Sequence, residues 1–152
     1  MTRSAIEPAR WQGTDDGRIY APDFGDFYAS RSGAWGQARA VFIEGCELPA
    51  RWQDSRCLRL LETGFGLGVN FLSTWAELKT SSSRARLHYV AVEKHPFTAA
   101  DLGSALQLSM ASAEPERAAL LRQLMERLLS QWPLLLPGFH VLELDEQVTL
   151  TD

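Results

Sequence analysis

The sequence predicts an α/β fold built on a parallel sheet, and three stretches carry that prediction. The first is Leu58–Leu78, LRLLETGFGLGVNFLSTWAEL. An apolar run (Leu58, Leu60, Leu61) leads to an acid, Glu62, then to glycines at every second position, Gly64, Gly66 and Gly68. Phe71, Leu72, Trp75 and Leu78 follow at helical spacing. The second is Leu87–Lys94, LHYVAVEK, a strand that ends in another acid, Glu93. The third is the closing pair of strand-like runs, Phe139–Leu144 and Val148–Thr151, which come after further helical patterns. Strands alternating with helices form a parallel sheet with crossover helices.

Composition bounds the rest. At 152 residues the chain has the size of one domain. Its 45% hydrophobic and 22% charged content is ordinary for a globular protein. A net charge of −4 argues against binding nucleic acid through the overall field. The cations are 13 Arg and 2 Lys, suited to phosphate and carboxylate contacts but scattered along the chain. Cys46 and Cys57 fit neither a metal spacing nor a disulfide framework. His88, His95 and His140 stand far apart, so no metal site is expected. No signal peptide opens the chain and no apolar run approaches ~18 residues, so a cytoplasmic, non-membrane protein is expected.

In chain order, residues 1–22 are polar and broken by Pro and Gly, with Asp16-Gly17 as the turn of a short hairpin that uses Trp11 and Ile19-Tyr20. Asp23, Phe24, Asp26, Phe27 and Tyr28 interleave acids with aromatics in a loop. They suit either a pocket for a flat or cationic ligand or a set of core plugs and caps. Ala40–Ile43 reads as a short strand stopped by Gly45. Residues 79–86, KTSSSRAR, form a surface connector. Thr98 with Asp101 resembles a helix N-cap, and Leu102, Ala105 and Leu106 give that helix its apolar stripe. A longer helix is expected over Pro115–Gln131, with Ser112 as its cap, Pro133 as its stop, and a Leu-rich face that serves the core. His140, alone on an alternating strand, reads as structural, and Asp145-Glu146 as a turn.

The glycine spacing distinguishes between ligands. A dinucleotide turn reads G-x-G-x-x-G, with the pyrophosphate on the helix N-terminus. Here the order is E-x-G-x-G-x-G, which resembles the first motif of class I S-adenosylmethionine (SAM) methyltransferases, a Rossmann-like fold. SAM carries an amino group and a sulfonium rather than a phosphate, so an acid such as Glu62 suits its ammonium, with Asn70 adding a side-chain hydrogen bond. Glu93, at the end of the second strand, suits a ribose diol; a solvated strand-end acid is the plain alternative. For the glycines, the plain alternative is a turn that needs positive φ.

From about Asp23 onward the segments DFGDFYAS, VFIEGCEL, LLETGFGLGVNFLSTW, VAVEKHPFTAADL, QWPLLLPGFH and LELDEQVTLTD resemble, in order and spacing, the amino-terminal methyltransferase part of the MnmC/MnmD family. The resemblance implies a bacterial enzyme that uses SAM to methylate the 5-aminomethyl group of 5-aminomethyl-2-thiouridine at the tRNA wobble position. It also implies tRNA as partner and, in fused members, a carboxy-terminal FAD oxidoreductase part. By the same resemblance, Glu62, Gly64, Gly66, Gly68 and Asn70 fall on the SAM loop, and Glu93 with Lys94 on the second-strand E-K pair. Asp23, Asp26 and Tyr28 fall on a D-x-x-D-x-Y segment near the active site, where Asp26 and Tyr28 are the acceptor-side candidates. Cys46 and Leu67 depart from the family's usual Asn and Thr. The same resemblance implies that the family's D-G-F-A-P segment, with its catalytic aspartate, falls beyond residue 152; by size alone, a SAM Rossmann core needs about seven strands, or roughly 200 residues. The expectation is therefore an amino-terminal extension (1–57) followed by an incomplete SAM-binding half-domain (58–152), inactive alone and prone to associate through unpaired strands. Two other readings are a dinucleotide-dependent oxidoreductase and an inactive SAM-binding or interaction module.

Overall fold

The computed structural model describes residues 5–152. Its centre is a four-stranded sheet in the order β4-β5-β7-β6. Strands β4 (Cys57–Thr63), β5 (Arg86–Val92) and β7 (Val148–Thr151) are parallel neighbours, and β6 (Val141–Glu143) returns antiparallel along β7. A smaller antiparallel sheet of β1 (Gln12–Gly13), β2 (Ile19–Ala21) and β3 (Asp26–Phe27) is formed by the first part of the chain. Helix α1 (Ala34–Gln37) runs into a π-helical segment, Ala38–Glu44, and α2 (Leu48–Gln53) leads to β4. The crossovers are α3 (Val69–Thr80) between β4 and β5, then α4 (Ala99–Ser109) and α5 (Pro115–Ser130) before the closing hairpin. This is a Rossmann-like α/β arrangement, as the alternation of patterns predicts.

One face of the main sheet is covered and the other is open. Leu58, Leu60 and Glu62 of β4 alternate toward the covered side, as do Leu87, Tyr89 and Ala91 of β5. Against them packs α3, whose Phe71, Leu72 and Trp75 are fully buried. The Phe71 ring meets Tyr89 edge-on at 5.0 Å and lies 5.6 Å from Trp75. Each such side chain contributes roughly 1.5–3 kcal/mol on full burial. Ile43, Leu48 and Trp52 from the first part of the chain join the same buried cluster as the sheet residues. On the other side Leu61, Val92 and Val141 are exposed, and among the described residues β4 pairs only with β5. Of the apolar run, Leu58 and Leu60 pack against the core, while Leu61 lies on the opposite face of the strand.

Three local expectations are corrected. Ala40–Ile43 is π-helix, not strand: it continues α1 and turns Ala38 and Ile43 inward against the core, so tertiary packing overrides the β-branched preference. The stretch expected as loop at Asp23–Tyr28 contains strand β3, which pairs Ala21 with Asp26 and Tyr20 with Phe27. Ser112 does not cap α5. Its hydroxyl donates to the Ser109 carbonyl, while Glu114 holds the N-cap position and Pro115 presets the first helical φ. The Thr98 cap is present, with its hydroxyl accepting from the Asp101 amide at 3.1 Å. Among the described residues no helix is long and apolar enough to cross a membrane.

Candidate active site at the ends of the parallel strands

The loop between β4 and α3 is shaped by positive φ at Gly64 (84°), Gly66 (55°) and Gly68 (69°), a conformation that costs L side chains energy. Hydrogen bonds set its course. The Gly64 amide donates to the Val92 carbonyl at 2.8 Å, joining the ends of β4 and β5, and the Gly68 amide donates to the Phe65 carbonyl at 2.8 Å. A Cβ on Gly68 would lie 2.5 Å from the Phe65 ring, and one on Gly66 would lie 3.3 Å from Tyr28. Turn geometry favours glycine at both positions, and close packing against Phe65 adds to it most strongly at Gly68.

Glu62 sits under this loop, buried, with both carboxylate oxygens engaged. Asn70, in the first turn of α3, donates from Nδ2 to Oε1 at 2.7 Å, and the Tyr89 phenol donates to Oε2 at 2.7 Å. Burial holds the Glu62 carboxyl above its ordinary range; the two donors partly offset this, and the nearby charge of Glu93 adds to it. Burial and the Glu62 charge push the Tyr89 phenol up as well, so it stays a donor throughout the neutral range. Glu93, just past β5, is tied to the same loop. It accepts from the Gly66 amide at 2.9 Å and from the His95 amide at 2.8 Å.

The sequence-predicted residues divide into two groups. A cavity lined by Tyr28, Glu62, Gly64, Gly66 and Asn70 brings five of them together, and Gly68 closes the loop as the N-cap of α3. Tyr28 packs its ring 5.3 Å from Phe97, and burial raises its phenol pKa. Lys94 is exposed and lines no part of this cavity. Asp26 is exposed on β3, where its carboxylate accepts from the Phe27 amide at 2.7 Å, and Asp23 pairs with Arg10. Sequence reading passed over Tyr89. Its signal was a phenol on the inward-facing register of a buried strand, where the hydroxyl needs a partner.

Chemically, this is a backbone cradle flanked by two carboxylates. A phosphate in this cavity would meet the Glu62 carboxylate of its lining, whereas an ammonium or sulfonium would be favoured; Glu93 holds the Gly66 amide but does not line the cavity. Glu62 and the cradle thus fit SAM.

No protein-family model matches the chain. Curated relatives do. The MnmC protein of Burkholderia vietnamiensis is 45% identical over 141 residues, 92% of this chain and 21% of the relative. That of Paraburkholderia phytofirmans is 47% identical over 139 residues, 90% of this chain and 20% of the relative. That of Burkholderia thailandensis is 45% identical over 148 residues, 96% of this chain and 22% of the relative. All three are named tRNA 5-methylaminomethyl-2-thiouridine biosynthesis bifunctional protein MnmC. The chain spans about a fifth of their length. Among solved structures, MnmC2 from Aquifex aeolicus shares the fold with a TM-score of 0.59 at 20% identity, over 95% of this chain and 41% of that one.

Proposed function

We propose, from the homology of this chain to one segment of the bifunctional MnmC proteins, that it forms the SAM-holding part of a tRNA methyltransferase. The acceptor is the 5-aminomethyl group of 5-aminomethyl-2-thiouridine at the wobble position, and the setting is the cytoplasm. The observation that carries the reading is the buried Glu62 carboxylate, held by Tyr89 and Asn70 beside the Gly64–Gly68 cradle.

SAM supplies the electrophilic methyl group of the reaction. Glu62 sits where an α-ammonium would bind, and its two protein donors leave lone pairs free for a third. Glu93 keeps lone pairs on both oxygens for the ribose hydroxyls while its present bonds fix its orientation. The acceptor amine, with a pKa near ~10 when free, must be neutral to attack. A carboxylate beside it raises that pKa, so the rate gain on the acceptor side comes from orientation and from taking up the leaving proton. Of the two acceptor-side candidates, Tyr28 lines the cavity and Asp26 does not, so positioning of the amine is assigned to Tyr28. Arginines such as Arg31, Arg39 and Arg51 would meet tRNA phosphates. FAD belongs to a fused or separate oxidoreductase part, and no residue of this chain is assigned to it.

Thermal unfolding of the 152-residue chain with S-adenosylhomocysteine, and with NAD as control, tests the reading. A ligand at ~100 times its Kd adds about 2.7 kcal/mol of stability. Stabilisation by S-adenosylhomocysteine alone, lost in Glu62→Ala, supports the cofactor site. Stabilisation by NAD alone overturns it. Methyl transfer to tRNA bearing the 5-aminomethyl group then separates an active enzyme from a binding module.

A further inference from the structure

A second cavity adjoins the one beside Glu62. It has a volume of about 140 Å³ and lies between the β1–β2 turn, residues 28–34 and the end of α4. Tyr28, Ala29, Ala34 and Leu67 line both cavities and so form the wall between them. The segment that closes this chamber is held in place. Gly33 has a φ of 94°, and a Cβ there would lie 2.7 Å from the Ser112 side chain. The Ser30 amide donates to Oε1 of Gln37 at 2.8 Å, and the Ser30 and Ser32 hydroxyls share a 2.7 Å hydrogen bond. Of the two arginines in the lining, Arg18 is engaged: it pairs with Asp16 at 2.7 Å and stacks 4.0 Å over the Phe27 ring. Arg31 is exposed and makes no ion pair among the described residues.

We propose that this chamber receives the pyrimidine ring of the acceptor nucleotide, with the Arg31 guanidinium at its rim taking a flanking phosphate; this rests on the SAM reading of the neighbouring cavity. Methyl transfer needs the acceptor nitrogen within about 3–3.5 Å of the methyl group, so donor and acceptor must occupy adjoining spaces. In that reading the cofactor's ribose goes toward Glu93. That acid lines a third cavity, with Ala91, Val92 and Trp132, and no part of this chamber. The chamber is left to the acceptor, and Tyr28 stands between the two.

Size and lining suit a single ring. Sites for drug-sized ligands start at roughly 300 Å³, and this chamber has about half of that. Ile19 and Leu67, both buried, give the ring an apolar wall. The hydroxyls of Ser30 and Ser32 offer donors and acceptors to its carbonyl and ring N–H groups. The planar guanidinium of Arg31 matches two phosphate oxygens at once, which an ammonium does not.

Two readouts on the full chain test the chamber apart from the cofactor site. One is calorimetric titration with S-adenosylhomocysteine. The other is fluorescence anisotropy of an anticodon stem-loop RNA carrying 5-aminomethyl-2-thiouridine, with S-adenosylhomocysteine saturating. Arg31→Ala should weaken RNA binding about tenfold and lower its salt slope by about one, with S-adenosylhomocysteine affinity held within about twofold. Ala111→Trp, at an exposed position that lines this chamber and not the cavity beside Glu62, should weaken RNA binding by about tenfold or more and again spare S-adenosylhomocysteine. In a second measurement on the native chain, the same RNA with 4-thiouridine at the wobble position should photocrosslink to residues 28–34 or 111–112, read by mass spectrometry. Cross-links only to other segments, RNA binding indifferent to both variants, or no RNA binding while S-adenosylhomocysteine binds would each overturn the chamber and leave the cofactor site standing. Absence of S-adenosylhomocysteine binding would remove both.

Discussion

The Tyr89 phenol donates a 2.7 Å hydrogen bond to Oε2 of Glu62, so the second parallel strand holds the carboxylate that ends the first. Asn70 holds the other oxygen from the crossover helix. The candidate site is therefore braced by all three parts of one βαβ unit, and each brace can be removed separately.

Tyr89→Phe deletes one of these donors without changing shape. A hydrogen bond to a charged group contributes about 1.5–3 kcal/mol, so urea unfolding at pH 7 should show a loss of about 2 kcal/mol. The loss should depend on pH. Burial raises the Glu62 pKa in the folded state, so its charged form costs stability as pH rises through that value, and the Tyr89 bond opposes that cost. The deficit of the variant should thus be larger at pH 8 than at pH 4, where Glu62 binds a proton. Equal deficits at both values would mean that the phenol does not support the charge.

The three loop glycines should not respond alike to alanine. Gly68→Ala combines a left-handed backbone with a 2.5 Å approach to Phe65, which is itself only 4% exposed and cannot move away cheaply. It should cost more than ~2 kcal/mol. Gly64→Ala meets open space and should cost about 1 kcal/mol from backbone strain alone. Gly66→Ala presses on Tyr28 and should fall between them. Denaturant midpoints in any other order would contradict this packing account.

Glu93→Ala leaves the Gly66 and His95 amides without their carboxylate acceptor, whereas Glu93→Gln keeps one acceptor oxygen. The alanine variant should lose about 1–3 kcal/mol and the glutamine variant less. If Glu93 also receives the ribose diol, calorimetric titration should show S-adenosylhomocysteine affinity falling in both variants. Unchanged affinity would confine Glu93 to holding the loop.

The glycine loop, Glu62, Asn70 and Glu93 were legible in the sequence because each follows from local rules: a strand end, an acid, alternate glycines, a second strand end. The sheet alternation and the Thr98 cap were legible for the same reason. What escaped depends on contacts distant in sequence. Ala40–Ile43 has strand composition, yet its neighbours in space are helical. Tyr89 looked like any strand aromatic until register set it beside Glu62. Asp26 and Tyr28 stand two residues apart and read as one motif, but only Tyr28 reaches the cavity, because β3 pairs with β2 and leaves Asp26 in solvent.

Asp152 gives the clearest pH prediction. Burial first, then the charge of Glu93, push its carboxyl up to about 6, with His140 opposing, and its Oδ1 is buried without a hydrogen-bond partner among the described residues. An acid whose folded pKa lies above its unfolded value adds stability when protonated and loses it as pH rises. The window runs from near 3.8 to about 6. Discounted for solvent screening, the loss is on the order of 1 kcal/mol. Asp152→Asn removes the charge at every pH, so it should be more stable than the native chain by about that amount at pH 7 and equal to it near pH 4. Urea unfolding of both chains across this range checks the sign. A difference that stays constant with pH would show that the Asp152 carboxyl titrates as an ordinary exposed acid.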